Sequence, residues 1–391
     1  MSFYNIAPKP KSVLGYHRAL APTAGVKVSP LCLGSMNFGT EWQDFMGECS
    51  KEDAFAIMDP FYDNGGNFID TANCYQNEQS EEWIGEWMKK RGNRDQMVIA
   101  TKYSNGYRCA HFDTEPLQSN YVGNSIKSMN LSLEASLRKL QTGYVDILYL
   151  HWWDFSTSLE EIMHGLNVLI NARKVLYLGI SDSPAWIVVK ANSYARANGL
   201  RQFSVYQGLW NAEARDMERE IVPMCRDQGM GVIPFGALGS GKFKNAAARS
   251  DSAAPTGSGR GAQMSEREVK VSEVLESVAK RKDTTLHAVA LTYIMHKAPY
   301  IYPVIGLRKV EHLMANIDAL TIDLSKEDMH EIDAAVPFDP GFPNSFLFGA
   351  KRYDLTETAS DIWLSALSAH IDSVAHQRPI KARTRDETQR E

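Results

Sequence analysis

The fold is decided by three consecutive segments: MVIAT at residues 97–101, YVGNSIKSMNLSLEASLRKLQTG at residues 121–143 and VDILYL at residues 145–150. The first and third are short apolar runs rich in β-branched residues, which predicts buried strands. The middle segment predicts a helix, because its apolar side chains recur at helical spacing on one face. A strand, a helix and a second strand in this order indicate two parallel strands joined by a helical crossover.

The same alternation continues on both sides of this unit. Further helices are predicted at residues 51–65 and 80–92. Six more strands are predicted: LCLGS (31–35), NFID (67–70), VLYLGIS (175–181), FSVYQ (203–207), GVIPF (231–235) and YIYPVIG (300–306). Eight such strands favour a closed α/β barrel, a (β/α)8 TIM barrel, over an open doubly wound sheet. Counting strands alone does not exclude the open sheet.

Composition limits the class of protein. The chain has 391 residues, of which 44% are hydrophobic and 23% charged, as in an ordinary globular enzyme. The net charge is -5 with both signs mixed, which argues against a nucleic-acid binder. No apolar run has the length of a signal peptide or a membrane span. The five cysteines are scattered and odd in number, which predicts no disulfide framework, no metal site and a reducing cytoplasm.

Two segments interrupt the regular pattern. Residues 250–267, SDSAAPTGSGRGAQMSER, have the composition of a mobile loop, although a passive linker fits as well. This segment follows the seventh predicted strand, where the catalytic loops of a barrel lie. The last residues, 377–391, are polar and charged, and they predict a frayed tail.

Four chemically reactive side chains follow the ends of three neighbouring strands. Asp70 ends the second strand and Tyr75 lies five residues beyond it, Lys102 comes at the end of the third, and His151 follows the fourth. Because the carboxyl ends of barrel strands meet at one mouth, these four side chains are predicted to converge. Each has a simpler interpretation alone: a turn aspartate, a packed tyrosine or a core histidine. All four together predict a catalytic site.

This combination suits the reduction of a carbonyl group. The alkoxide that develops after hydride addition needs a proton, and a tyrosine of ordinary pKa about 10 can donate it. An ammonium about 4 Å away would supply the roughly 4 kcal/mol needed to bring that pKa to about 7. We assign that charge to Lys102, its buried carboxylate partner to Asp70, and orientation of the carbonyl oxygen to His151.

The sequence resembles the aldo-keto reductases from about Leu14 to Ala350, most closely the fungal aryl-alcohol dehydrogenase and norsolorinic acid reductase-like group. The matching stretches are GSMNFG, NFIDTANCYQNEQSEEWIGEWM, TKYS, DILYLHWWD, GISDSPAW, PVIGLRKVEHLMANIDAL and DPGFPNSF. The resemblance implies a catalytic tetrad of Asp70, Tyr75, Lys102 and His151. It also implies a (β/α)8 barrel with an N-terminal hairpin and extra C-terminal helices. The barrel domain would span residues 1–350, and residues 351–391 would form an extension with a disordered last part.

The resemblance further implies a site for NADP(H). The nicotinamide carboxamide would be held by Ser181 and Gln207, and Asp70 would border the cofactor. The remaining implied cofactor contacts are Asp182, Phe235, Gly236, Leu238, Ser240, Lys242, Arg260, Gly306, Arg308, Lys309, His312 and Asn316. In this set, Phe235 would stack on the nicotinamide, and Arg308 and Lys309 would hold the adenosine 2′-phosphate at a helix N-terminus. Asp182 and Ala315 depart from the residues common in the family.

Two alternatives to this function remain open. Residues 236–242 contain G-x-x-x-x-G-K, but Phe243 stands where an NTPase loop needs Ser or Thr. A cofactor-binding regulatory protein, such as a potassium-channel β subunit, shares the fold and tetrad.

The substrate is predicted to be a small aromatic carbonyl or alcohol compound. Aromatic residues near strand ends would line its pocket, beside His151: Trp42, Phe45, Tyr103, Trp152 and Trp153. Such residues could also simply cover the barrel core.

Overall fold

The computed structural model describes residues 6–250, 264–348 and 354–383. Arg260, most of the loop predicted at residues 250–267 and residues 384–391 lie outside the described residues.

Eight parallel strands form the sheet, with each strand paired to its neighbour in chain order and the last paired to the first. The strands are β3 (Cys32–Gly34), β4 (Phe68–Asp70), β5 (Val98–Tyr103), β6 (Val145–Leu150), β7 (Val175–Ser181), β8 (Phe203–Leu209), β9 (Gly231–Phe235) and β10 (Val304–Gly306). A parallel bridge from Val232 to Ile301 joins β9 to the chain before β10 and completes the ring. The predicted barrel is therefore confirmed.

An antiparallel hairpin closes the amino-terminal end of the barrel, as expected. It consists of β1 (Arg18–Ala21) and β2 (Ala24–Val28). Its residues Leu20, Ala24 and Val28 are fully buried against the side chains that fill the barrel interior. The Tyr302 hydroxyl also donates a hydrogen bond to the Ala19 carbonyl oxygen. The interior is therefore a packed core that is sealed at this end.

Helices surround the sheet and continue past the last strand. They are α1 (Gln43–Met46), α2 (Lys51–Asp63), α3 (Gln79–Arg91), α4 (Ile126–Lys139), α5 (Leu159–Asn171), α6 (Ala185–Ala197), α7 (Ile221–Gln228), α8 (Ala246–Ser250), α9 (Glu266–Arg281), α10 (Leu286–Lys297), α11 (Val310–Ala319), α12 (Lys326–Ala334), α13 (Asn344–Leu347) and α14 (Trp363–Ala366). Ser50, Ser265 and Ser325 begin their helices with capping boxes that satisfy exposed backbone N–H groups.

Two predicted elements are shorter in the structure. The helix expected over residues 121–143 begins at Ile126, because the Ser125 side chain caps it by accepting from the Ser128 backbone N–H. The strand expected over residues 300–306 is interrupted at Pro303, which has no N–H to donate, and only Val304–Gly306 remains as a strand.

The C-terminal extension contacts the barrel as far as it is described. The Arg383 guanidinium lies 4.1 Å from the centre of the Tyr16 ring, whereas residues 371–383 have no regular secondary structure and are mostly exposed. Among the described residues, no helix is long and apolar enough to cross a membrane. All five cysteines are free.

Candidate active site

The four predicted catalytic side chains converge at the carboxyl end of the barrel. Asp70 ends β4 and Lys102 lies in β5, and both side chains are buried inside the mouth. The Lys102 ammonium donates to Asp70 Oδ1 at 2.5 Å, to the Thr71 carbonyl at 2.8 Å and to the Tyr75 hydroxyl oxygen at 3.4 Å. Since Lys102 supplies the hydrogen in this last contact, the proton of the phenol itself can point towards the mouth.

The turn after Tyr75 is strained. Gln76, Asn77 and Glu78 have φ values of 51°, 50° and 83°, a conformation that costs a non-glycine residue about 1–2 kcal/mol. The Gln76 side chain donates to the Met36 carbonyl at 3.0 Å and accepts from the Trp42 backbone N–H at 2.7 Å. These bonds tie the turn to the loop that carries Trp42, whose ring lies edge-on to Tyr75 at 6.3 Å.

The acidity of Tyr75 differs from the prediction. Burial raises the pKa of Tyr75 to about 12, although the Lys102 ammonium acts to lower it. The expected shift towards 7 is therefore wrong. The physical reason is burial of the phenol, which outweighs the Lys102 ammonium, and the Asp70 carboxylate, 2.5 Å from Lys102, further disfavours a tyrosinate.

His151 lies opposite Tyr75 and is neutral. Its ring is edge-on to the Tyr75 ring, with 6.0 Å between the centres. Burial and, to a smaller extent, the charge of Lys102 lower the pKa of His151 to about 3. A neutral imidazole can donate one hydrogen bond to a carbonyl oxygen without competing as an acid.

The residues predicted to hold the nicotinamide carboxamide are neighbours on the next two strands. Ser181 pairs in register with Gln207, and both are buried. The Gln207 amide nitrogen donates to Asp70 Oδ2 at 2.9 Å, so its oxygen remains directed elsewhere. Asp182 follows in a left-handed conformation, with φ of 41°, and its backbone N–H donates to the Gln207 carbonyl at 3.2 Å.

The chain after β9 forms a tight turn rather than the phosphate-binding loop of an NTPase. Phe235 ends the strand, and Gly236 has a φ of 68° that favours glycine. The turn continues through Leu238 and Ser240. Lys242 forms an ion pair with Glu268 at 2.8 Å, and Phe243 is buried. The helix that follows, α8, has only five residues, which does not fit an NTPase loop.

The predicted adenosine site lies at the start of α11, after Gly306. Arg308 and Lys309 are exposed, and no carboxylate in the described residues lies within ion-pair distance of either. His312 is exposed on the first turn, whereas Asn316 is buried. The Asn316 amide and the Ser181 hydroxyl have no hydrogen-bond partner within the described ranges. Two uncompensated cations and two unpaired polar groups fit a phosphorylated, hydrogen-bonding cofactor.

The structure divides the predicted aromatic wall into three groups. Trp42 and Trp152 border the mouth and are partly exposed. The prediction that Tyr103 contacts the substrate is wrong, because its side chain points away from the barrel interior and is fully buried between the sheet and the helices. Trp153 is buried in the same outer core, and Phe45 is exposed on α1.

Two asparagines that were not predicted from the sequence organise the mouth. Asn105 contacts His151, Trp152 and Cys74. Asn124 is fully buried and donates to Ser104 Oγ at 2.8 Å and to the Trp152 carbonyl at 3.0 Å. Asn105 could have been identified as a site residue from the sequence, because it lies three residues beyond Lys102 at the end of a strand. The position of Asn124 in the sequence gives no such indication. No group of acidic, histidine or cysteine side chains in the described residues is arranged to hold a metal ion.

Comparison with known proteins supports the family resemblance described above. The sequence model of the Aldo/keto reductase family matches residues 30–337. Norsolorinic acid reductase A of Aspergillus parasiticus is 51% identical over 377 residues, which cover 96% of this chain and 95% of that protein. An aryl-alcohol dehydrogenase of Pestalotiopsis microspora is 52% identical over 97% of each chain.

A third relative names its cofactor. The aryl-alcohol dehydrogenase [NADP(+)] of Phanerodontia chrysosporium is 48% identical over 97% of this chain and 99% of its own. These names are those of reductases and dehydrogenases, which supports an enzyme over a channel subunit. The chain belongs to the aldo/keto reductase family, whose members use a nicotinamide cofactor.

Proposed function

We propose that this enzyme uses NADP(H) to interconvert aryl or polyketide aldehydes and ketones with their alcohols, as a step in fungal secondary metabolism. The observation that carries the proposal is the Tyr75 hydroxyl, 3.4 Å from the Lys102 ammonium at the barrel mouth and facing a neutral His151. The scattered cysteines still predict a reducing cytoplasm as its compartment.

Side chains at the barrel mouth can supply the proton that the carbonyl oxygen needs in this reaction. A bound nicotinamide would supply the hydride. As hydride reaches the carbonyl carbon, the carbonyl oxygen gains an electron pair and takes the Tyr75 proton. The Lys102 ammonium then lies beside the tyrosinate and stabilises it. His151 donates a hydrogen bond to the same oxygen. Because the pKa of Tyr75 is about 12, the phenol is protonated at neutral pH, which favours reduction.

The proposed cofactor contacts are those that the family resemblance implies for the predicted residues. Ser181 and Gln207 would hold the carboxamide, and Phe235 would stack on the ring. Gly236, Leu238, Ser240 and Lys242 would line the pyrophosphate, and Asp182 would contribute its backbone. Arg308 and Lys309 would bind the 2′-phosphate, with Gly306, His312 and Asn316 around the adenosine.

Removing the two cations with Arg308→Ala and Lys309→Ala is expected to weaken NADPH binding by about 10- to 100-fold. NADH has no 2′-phosphate, so its affinity should change by less than about threefold. Fluorescence titration with both cofactors measures the difference. Lys326→Ala, an exposed lysine on α12, is the control and should bind both cofactors normally. Equal losses for NADPH and NADH would place the 2′-phosphate elsewhere.

The proposal that the substrate is aromatic rests on Trp42 and Trp152 at the mouth and on the names of the relatives. Benzaldehyde should be reduced at fixed NADPH with a kcat/KM at least about tenfold above that of cyclohexanecarboxaldehyde, since an aromatic contact contributes about 0.5–1.5 kcal/mol per ring pair. Loss of absorbance at the nicotinamide band reports turnover. Failure to consume NADPH with any aldehyde or ketone would contradict the enzyme assignment. Equal rates for the two aldehydes would contradict the prediction that aromatic residues line the substrate pocket, but not the assignment as an enzyme.

A further inference from the structure

Asn105 links three side chains of the mouth, and the mechanism above does not use it. We propose that Asn105 is a positioning residue that fixes the tautomer of His151, and that Trp152 fixes the orientation of Asn105. The proposal deepens the carbonyl-reductase function and rests on it for its catalytic consequence.

The orientation of the Asn105 amide follows from Trp152. An indole N–H can only donate a hydrogen bond. Trp152 Nε1 lies 2.6 Å from Asn105 Oδ1, so this atom has to be the amide oxygen, which accepts. The nitrogen of the same amide therefore faces the opposite side.

The amide nitrogen in turn determines which imidazole nitrogen carries the proton. Asn105 Nδ2 has two hydrogens, and it lies 3.3 Å from Cys74 Sγ and 3.4 Å from His151 Nδ1. Since an amide nitrogen cannot accept, His151 Nδ1 has to accept and cannot be protonated in the neutral ring. The single proton is then on Nε2, the nitrogen that remains available to a substrate oxygen.

The backbone holds the chain of hydrogen bonds from Trp152 through Asn105 to His151 in place, and we call this chain the relay. Ser104 has a φ of 105°, and this left-handed turn places Asn105 at the end of β5. Ser104 Oγ accepts from the His151 backbone N–H at 3.2 Å and from the Asn124 amide at 2.8 Å. Asn124 also donates to the Trp152 carbonyl at 3.0 Å. One buried asparagine therefore fixes the chain on both sides of the relay.

The catalytic consequence concerns the carbonyl oxygen of the substrate. With the proton on Nε2, that oxygen would receive hydrogen bonds from both His151 and Tyr75. With the proton on Nδ1, the Nε2 lone pair would repel the oxygen as its negative charge develops. Loss of one donor to a developing oxyanion typically lowers kcat by about 10²- to 10³-fold.

Asn105→Asp tests the relay directly. An ionised carboxylate only accepts, so it would draw the proton of His151 to Nδ1 and also favour the imidazolium. We expect kcat at pH 8 to fall by about 100-fold with NADPH affinity within about threefold of the wild type. As the pH falls and the imidazolium forms, Nε2 regains its hydrogen, so the activity of this variant should rise. The wild-type rate should show no such rise.

The titratable groups nearest His151 and Asn105 are Tyr75, Lys102 and Cys74, and Asp182 follows the neighbouring strand β7. Burial raises the pKa of Asp182 to about 6, so this group titrates in the wild type and in the variant alike, and comparison of their pH profiles removes its effect. The pKa values of Tyr75, Lys102 and Cys74 are all raised, so none of these groups changes its charge as the pH falls from 8 to 5. Asn130→Asp, the same chemical change at an exposed position of α4, is the matched control and should leave the pH profile unchanged. Trp152→Phe removes the bond that orients the amide and should lower kcat by about threefold to tenfold.

Nitrogen-15 NMR of histidine-labelled protein, with His151→Gln to assign the signal, reads the tautomer without any turnover. We expect the Nε2–H form in the wild type and the Nδ1–H or doubly protonated form in Asn105→Asp. An Nδ1–H signal in the wild type, or an unchanged pH profile in a folded Asn105→Asp protein, would overturn the relay. An Nε2–H signal in a protein that reduces no carbonyl would leave the relay intact and contradict the proposed function instead.

Discussion

Tyr75→Phe is expected to lower carbonyl reduction by about 10²- to 10⁴-fold, the range that a positioned general acid contributes. The substitution removes one oxygen and leaves the ring between Trp42 and His151, so NADPH affinity should stay within about threefold. Pre-steady-state hydride transfer and fluorescence titration measure the two quantities separately. Tyr62→Phe removes a hydroxyl that bonds Gln96 on the outer surface, and this matched control should behave as the wild type.

The reverse reaction gives this prediction a pH dependence. Alcohol oxidation needs the tyrosinate, and the fraction of Tyr75 in that form rises about tenfold per pH unit below its pKa of about 12. Oxidation by the wild type should therefore increase steadily from pH 7 to pH 9, whereas Tyr75→Phe should not show the increase. Near-normal reduction by Tyr75→Phe would assign the proton to another group.

Lys102→Met should abolish turnover and also lower the free energy of unfolding by about 3–5 kcal/mol, because it leaves the buried Asp70 carboxylate without its cation. Denaturant unfolding and turnover are the two measurements. The double variant Asp70→Asn/Lys102→Met has no buried charge, so we expect it to recover most of the stability while remaining inactive. This difference separates the structural role of the pair from its catalytic role.

A surface ion pair provides the comparison for stability. Lys51 and Glu86 are 2.9 Å apart with side chains 39% and 44% exposed, so Lys51→Met should cost less than about 1 kcal/mol. If Lys102→Met were as stable as Lys51→Met, Asp70 would not be buried as an anion. If it retained turnover, Lys102 would not stabilise the tyrosinate.

The apolar runs in the sequence were sufficient to predict the eight strands and, from the strand ends, the convergence of the four predicted catalytic groups. The choice of a closed barrel over an open sheet also needed the family resemblance, because both folds contain the same alternation of strands and helices. Period-two alternation could also have identified Tyr103: its neighbour Lys102 faces the interior, so Tyr103 faces outward. The acidity of Tyr75 could not be predicted from the sequence, since it depends on how deeply the phenol is buried and on the distances of Lys102 and Asp70 from it. The relay through Asn105 depends on the left-handed turn at Ser104, and a serine in the sequence gives no sign of that conformation.

The hairpin under the barrel has a consequence for the order of events at Tyr75. Leu20, Ala24 and Val28 seal the far end with no exposed surface, so a molecule reaches the phenol only from the loop side. Cofactor and substrate would therefore both enter from the loop side. The compound that lies deeper would be covered by the other, so we expect it to bind first and to leave last.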